Sequence, residues 1–266
     1  MTDISSPDTR ARGALAPRPG AAPVWTRIAA QTVTEVRTTL RNGEQLLLTL
    51  VIPLVLLVGL SRTRVVSLGT GPAIDEVTPG ILALAIMSTA FTSQAIATGF
   101  ERRYGVLKLL GATPLSRAGL VTAKSLAVVV VEAGQLVLLV VAAYVLGWSP
   151  NGSWPAAVLL LLFGTLAFSA LGLLLAGVLR AEATLAAANA VYLLLLLGGG
   201  IVVPLDKLPS PVAGVVRLLP SGALGEGLRD VLLHGRGVAG VLGPLLVLLV
   251  WGVGATALAA RTFRWE

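Results

Sequence analysis

The sequence predicts an all-α integral membrane protein, with six transmembrane helices preceded by an amphipathic helix at the membrane interface. Three observations predict it. The chain is 55% hydrophobic and 12% charged with a mean hydropathy of +0.87, far from the balance of a soluble domain. Its apolar residues fall in separate runs, each near the roughly 17 to 25 residues that cross a hydrocarbon core. The runs are rich in Leu, Val, Ala and Gly without the alternation of a barrel strand, so in lipid only a helix satisfies their backbone.

Residues 1–23 are polar and carry Pro7, Pro17, Pro19 and Pro23, which predicts a disordered cytoplasmic tail. The first long apolar run starts only near Leu46, too far from the first charges for a cleavable signal. Over residues 24–44, Trp25, Ile28, Val33, Val36 and Leu40 recur at helical spacing while Arg27, Gln31, Arg37 and Arg41 take the other side. That pattern suits the headgroup layer better than the flank of a soluble domain. The membrane domain is placed at residues 45–260. Its spans are placed at about Gln45–Ser61, Val77–Gly99, Ser125–Gly147, Pro155–Leu179, Ala183–Val203 and Gly240–Ala260. Pro53 is a kink that neighbouring helices can absorb.

Lys and Arg fix the orientation. Fourteen lie on the side of the two termini and six on the other, where five acidic residues nearly balance them. The positive-inside rule puts both termini, including residues 261–266, in the cytoplasm of a bacterial inner membrane. Trp148, Trp154 and Trp265 read as interface anchors. The net charge of +7 sits at the ends of apolar runs with few aromatics to stack bases, which argues for membrane lipids and against nucleic acid as partner. The absence of cysteine excludes disulfide and thiolate chemistry.

Two connections are long: a cytoplasmic one, residues 100–124, and an external one, residues 204–239. In the first, Tyr104, Leu107 and Leu110 with Arg103 and Lys108 predict a short amphipathic helix ended by Gly111 and the turn around Pro114. Such a helix is either a lever for a partner or a basic topology loop. Its run ERRYGVLKLLGATPLSR resembles the loop between spans two and three of ABC-2 type transporter permeases, where a charged cluster precedes a Gly-x-Leu-x-x-Leu-x-x-Thr/Ser-Pro-Leu pattern. The external PLDKLPSPVAGVVRLLPSGALGEGLRDVLLHG resembles the family's Pro-containing turns and Ala-Leu-x-x-x-Leu-Arg-like helix. The resemblance extends from Trp25 to Arg264, and composition and short loops are most similar to actinobacterial daunorubicin-type drug exporter permeases.

The resemblance implies an ABC-2, type V exporter-like permease fold working as a dimer with a second copy or a related permease, on two ATPase subunits. Glu101, Arg102, Arg103, Tyr104, Gly105, Leu107 and Lys108 would form the coupling element. Tyr104 and Leu107 would be the anchors, the charges the rim, and Gly105 the point of close approach. The chain has no Gly-x-x-x-x-Gly-Lys-Ser/Thr loop, so it is expected to bind no cofactor, with ATP and magnesium on the partner. Close approach at the dimer face is expected at Pro53, Gly59, Gly198 and Gly199. The expected function is export of a hydrophobic or amphipathic compound, drug-like or lipid-like. A membrane-embedded assembly or biogenesis factor on the same scaffold is the alternative. An enzyme is disfavoured, because clustered His, Asp and Glu are lacking.

Several polar residues inside the spans can line a path or glue helices. Glu132 is the one acidic residue deep in a span, with Gln135 a turn away. Thr92 and Gln94 lie in span two, and Asn189 and Tyr192 in span five. His234, the single histidine, reads as a surface residue, and Gly198-Gly199-Gly200 as a site of close packing or helix unwinding.

Overall fold

A computed structural model describes residues 21–62, 72–201, 205 and 208–262. The tail residues 1–20, Trp265 and Pro204 lie outside the described residues. Among them the chain is helical throughout. Helix α1 is Val24–Arg41. Helix α2 runs through Gly43–Leu46, a π-helical stretch Leu47–Val51 and Ile52–Arg62. Helix α3, Ala73–Arg103, likewise contains a π-helical stretch, Met87–Ser93. The short α4 is Val106–Gly111, followed by α5, Arg117–Val145, α6, Trp154–Val178, and α7, Ala181–Gly198. Then come α8, Ser210–Arg217, α9, Pro220–Leu232, and α10, Leu242–Thr262, which is led in by a 3-10 turn, Val238–Val241.

Five of these helices, α3, α5, α6, α7 and α10 with its lead-in, are long and apolar enough to cross a membrane. Helix α2 has a shorter apolar part, Thr49–Arg62. The boundaries differ from the sequence reading at polar ends, where α3 and α5 continue past their apolar cores. At α7 the difference is larger. That helix stops at Gly198, because Gly200 takes a φ of 77°, a conformation that costs glycine little and ends the helix.

The core forms around α3 and α6. Every residue from Val77 to Ile86 is buried, and α6 packs against α3, α9 and α10. Gly172 of α6 makes this possible, since a Cβ there would lie 2.8 Å from the Phe91 carbonyl oxygen. Phe91 in turn meets Phe168, centroids 6.4 Å apart. Helix α9 was expected in an external segment, yet nearly all of it is buried against α3, α6 and α10. At about 1.5 Å per residue, its 13 residues cannot span a bilayer. Arg229 of α9, 6% exposed, donates from Nη1 to the Gly200 carbonyl at 2.7 Å and from Nη2 to that of Ile201. It thereby serves carbonyls that the ended helix leaves without backbone partners.

Helix α1 lies along α5, with Ile28 buried and the Thr32 hydroxyl 3.3 Å from the Ala123 carbonyl. Trp25, Val33 and Leu40 face outward, the side an interfacial helix would give to lipid. Replacing Gly172 with Val is expected to cost about 1–3 kcal/mol through overpacking. The check is the thermal unfolding midpoint in detergent: it should fall for Gly172→Val and hold for Gly134→Ala, where a Cβ meets open space.

Candidate functional site

The site gathers where α3 ends and α4 begins. Gly105 has a φ of 74°, which makes the turn after α3, and nothing in this chain stands where its Cβ would be. This left-handed residue breaks the helical register between Tyr104 and Leu107. Tyr104 is 72% exposed and Leu107 is fully buried, so the expected pair of anchors does not form one face. The exposed apolar residues are instead Tyr104, Val106 and Leu109, with Lys108 beside them.

The charges before Gly105 turn toward the chain itself. Arg102 donates from Nη1 to the Gly177 carbonyl at 2.8 Å and from Nη2 to the Leu179 carbonyl, capping the C-terminus of α6. A cation there meets the negative end of the helix dipole. Arg103 pairs with Glu182 at the start of α7 in an exposed contact, which carries less energy than a buried one. Glu101 lies 2.6 Å from the Lys124 ammonium, which is also 3.0 Å from Glu35 of α1. Gln31 supports Glu35 through a 2.8 Å hydrogen bond. Glu101 and Arg102 therefore hold the chain's own helices together, where the sequence reading placed them on a partner's rim.

Between α1, α3 and α5, reaching the start of α2, lies a cavity of about 450 Å³ lined by this triad, Gln94 and the stacked rings of Phe100 and Tyr104. Its polar floor is Thr89, whose hydroxyl donates to the Gln135 Oε1 at 2.8 Å, while the Gln135 amide donates to the Thr49 carbonyl. Thr49 and Thr89 both sit in π-helical stretches, a distortion frequent at functional sites. Gln94 is 6% exposed and neither end of its amide has a hydrogen-bond partner. Thr92 also has a buried hydroxyl without a partner.

The other polar candidates do not join this group. Glu132 faces α6, where Thr165 donates to its Oε2, so Glu132 and Gln135 serve different interfaces despite their spacing. Asn189 is exposed and donates to its own helix at Leu185, and Tyr192 is partly buried against the core. His234 is exposed, 3.5 Å from Asp230. Among the described residues no cluster of His, Cys, Asp or Glu could hold a metal. A second cavity of about 920 Å³, between α5, α6 and α10, is almost wholly apolar.

Glu35 and Lys124 were not singled out from the sequence. One signal was available: Glu35 is the sole acid in α1, and Lys124 the one cation between Arg117 and Glu132.

The model of the family described as ABC-2 family transporter protein matches residues 69–261. The chain belongs to this family. The matched stretch is an all-helical membrane domain, with five helices long and apolar enough to cross a membrane among the described residues. The chain is also 31% identical over 104 residues to the Bacillus subtilis (strain 168) protein named Putative transport permease YvfS. That match covers 39% of each chain, so the similarity spans about two fifths of the relative's length.

In this member of the ABC-2 family, replacing Lys124 with Met leaves Glu35 and Glu101 facing each other without their cation. A loss of about 3 kcal/mol is expected, the scale of stripping a partner from buried charges. Thermal unfolding of the purified protein checks it, and adding Glu35→Gln and Glu101→Gln to Lys124→Met should recover most of the loss.

Proposed function

We propose that this permease exports a hydrophobic or amphipathic compound across a bacterial plasma membrane, using ATP hydrolysed with magnesium on a separate subunit. The observation that carries the coupling half of this reading is α4. It follows the end of α3, offers Val106 and Leu109 outward beside Tyr104, and that end of α3 is joined through Arg102 and Arg103 to the α6–α7 turn. An ATPase that grips those side chains moves four helix ends with one contact, a rigid-body transmission between packed elements. The fourteen-to-six asymmetry of Lys and Arg supports placing α4 and both termini in the cytoplasm.

Apolar cargo is supported by the cavity of about 920 Å³ between α5, α6 and α10, lined almost wholly by apolar side chains. The α5–α6 connection is short, with Trp148 edge-on to Trp154, centroids 6.0 Å apart. This favours the drug-exporter branch of the family. A second permease copy would meet α2 and α7, which leave Val51, Ile52, Val55, Leu193, Leu194 and Leu197 uncovered. Gly59 and Gly198 have open space where a Cβ would stand. Pro53 is buried within the chain and Gly199 is packed against Leu195 and Ser221, so those two are withdrawn from the dimer face.

The test is the double variant Tyr104→Ala with Leu109→Ala, which changes two exposed side chains. It should lose about 2–4 kcal/mol of ATPase association, the scale of interface anchors, while inserting normally. Co-purification and substrate-stimulated ATP hydrolysis check it. Full retention of both would remove α4 as the coupling element.

A further inference from the structure

We infer that the cavity between α1, α3 and α5 binds an organic ammonium group carried on an apolar body, held by Glu35, Glu101, Gln94 and the rings of Phe100 and Tyr104. The inference rests on the exporter reading for the ligand's role as cargo, though not for its binding.

The charges come first. Two carboxyl groups and one ammonium line the cavity, so Lys124 can neutralise only one of the two acids. Its walls include Ala97, Ala127, Val128 and Val131. Excess charge against apolar walls is costly unless a counter-ion can enter. An anionic ligand gains nothing here, because the lysine is already held at 2.6 and 3.0 Å by its two acids.

Gln94 supplies the independent observation. This side chain lines the cavity, is 94% buried by the complement of its 6% exposure, and leaves both amide atoms without partners. A buried amide in that state carries the desolvation cost of its polar atoms, and a cation beside Oε1 would relieve the acceptor's share. The rings of Phe100 and Tyr104 are stacked with centroids 6.1 Å apart and planes 25° apart. Ring faces attract organic cations. Carboxylates, an unsatisfied amide, aromatic faces and apolar walls together match a substituted ammonium better than a hydrated metal ion, which demands several oxygen ligands. The ammonium could belong to a drug-like amine or to an ethanolamine lipid headgroup.

The full-length chain in uncharged maltoside micelles provides the test, with trimethylammonium-diphenylhexatriene as probe and its uncharged parent diphenylhexatriene as reference. Saturable binding of the cationic probe, at least about tenfold tighter than the parent, is expected, the scale of a desolvated cation–π contact. Glu35→Gln and Gln94→Leu should each remove most of that preference without changing parent binding. Competition by a short-chain phosphatidylethanolamine would identify a lipid headgroup as the source, and competition by a soluble alkylamine alone a free amine. Equal binding of both probes by the unaltered protein would overturn the site, leaving the triad a structural tie and water the partner of Gln94. No ATPase is present in this assay. Failure of the site therefore stands apart from failure of the exporter reading, which shows only as lost ATPase coupling.

Discussion

Lys124 holds its ammonium 3.0 Å from Glu35 and 2.6 Å from Glu101, and through those contacts α5 is tied to α1 and to the end of α3. A charge buried to 5% exposure must keep its partners, because separating them would leave ions in an apolar setting. Arg102 adds α6 to the same cluster through the last carbonyls of that helix. The helix ends around α4 are therefore fixed by electrostatics at the place where the helices emerge from their apolar packing. Elsewhere the long helices rely on small residues and close contact, as at Gly172 against Phe91.

This division explains the two π-helical stretches. Each shifts the backbone register of its helix and changes which carbonyls are available, and Gln135 reaches both, accepting from Thr89 and donating to Thr49. A polar side chain from a third helix thus stabilises two distortions at once. At the opposite end, Arg229 does similar work for the carbonyls after α7. Both arrangements place a polar group inside the bundle where backbone groups would otherwise lack partners.

The class of fold was legible because hydropathy and length are local properties, and the runs that became α3, α5, α6, α7 and α10 announced themselves by both. The turn at Gly105 was less legible. A glycine permits positive φ without requiring it, and the register break that buries Leu107 and exposes Leu109 follows from that one angle. The connection holding α9 was read as external from its place between the fifth and sixth spans, and the burial of α9 was not legible because it comes from contacts with helices distant in sequence. Glu35 and Lys124 lie 89 positions apart, so no spacing rule could pair them. The same holds for Arg102 and Gly177. Charges near the ends of spans were read as topology signals, and their role as ties depends on tertiary packing.

If Arg102 and Arg103 lock the end of α3 to the α6–α7 turn, and α4 follows α3 with only Tyr104 and Gly105 between them, all three must move as one body in the proposed ATP-driven cycle. The chain contains no native cysteine, so spin labels at Lys108→Cys and Ala183→Cys report that separation without background labelling. Both positions are exposed. The measurement is the label-to-label distance by double electron–electron resonance, in the complex with its ATPase, nucleotide-free and ATP-bound. One narrow distance common to both states, broadening in Arg102→Ala, is the expected result. A shift of several ångström between the two states in the otherwise unaltered protein would contradict the lock, and with it the transmission of force from α4 to the surrounding helices.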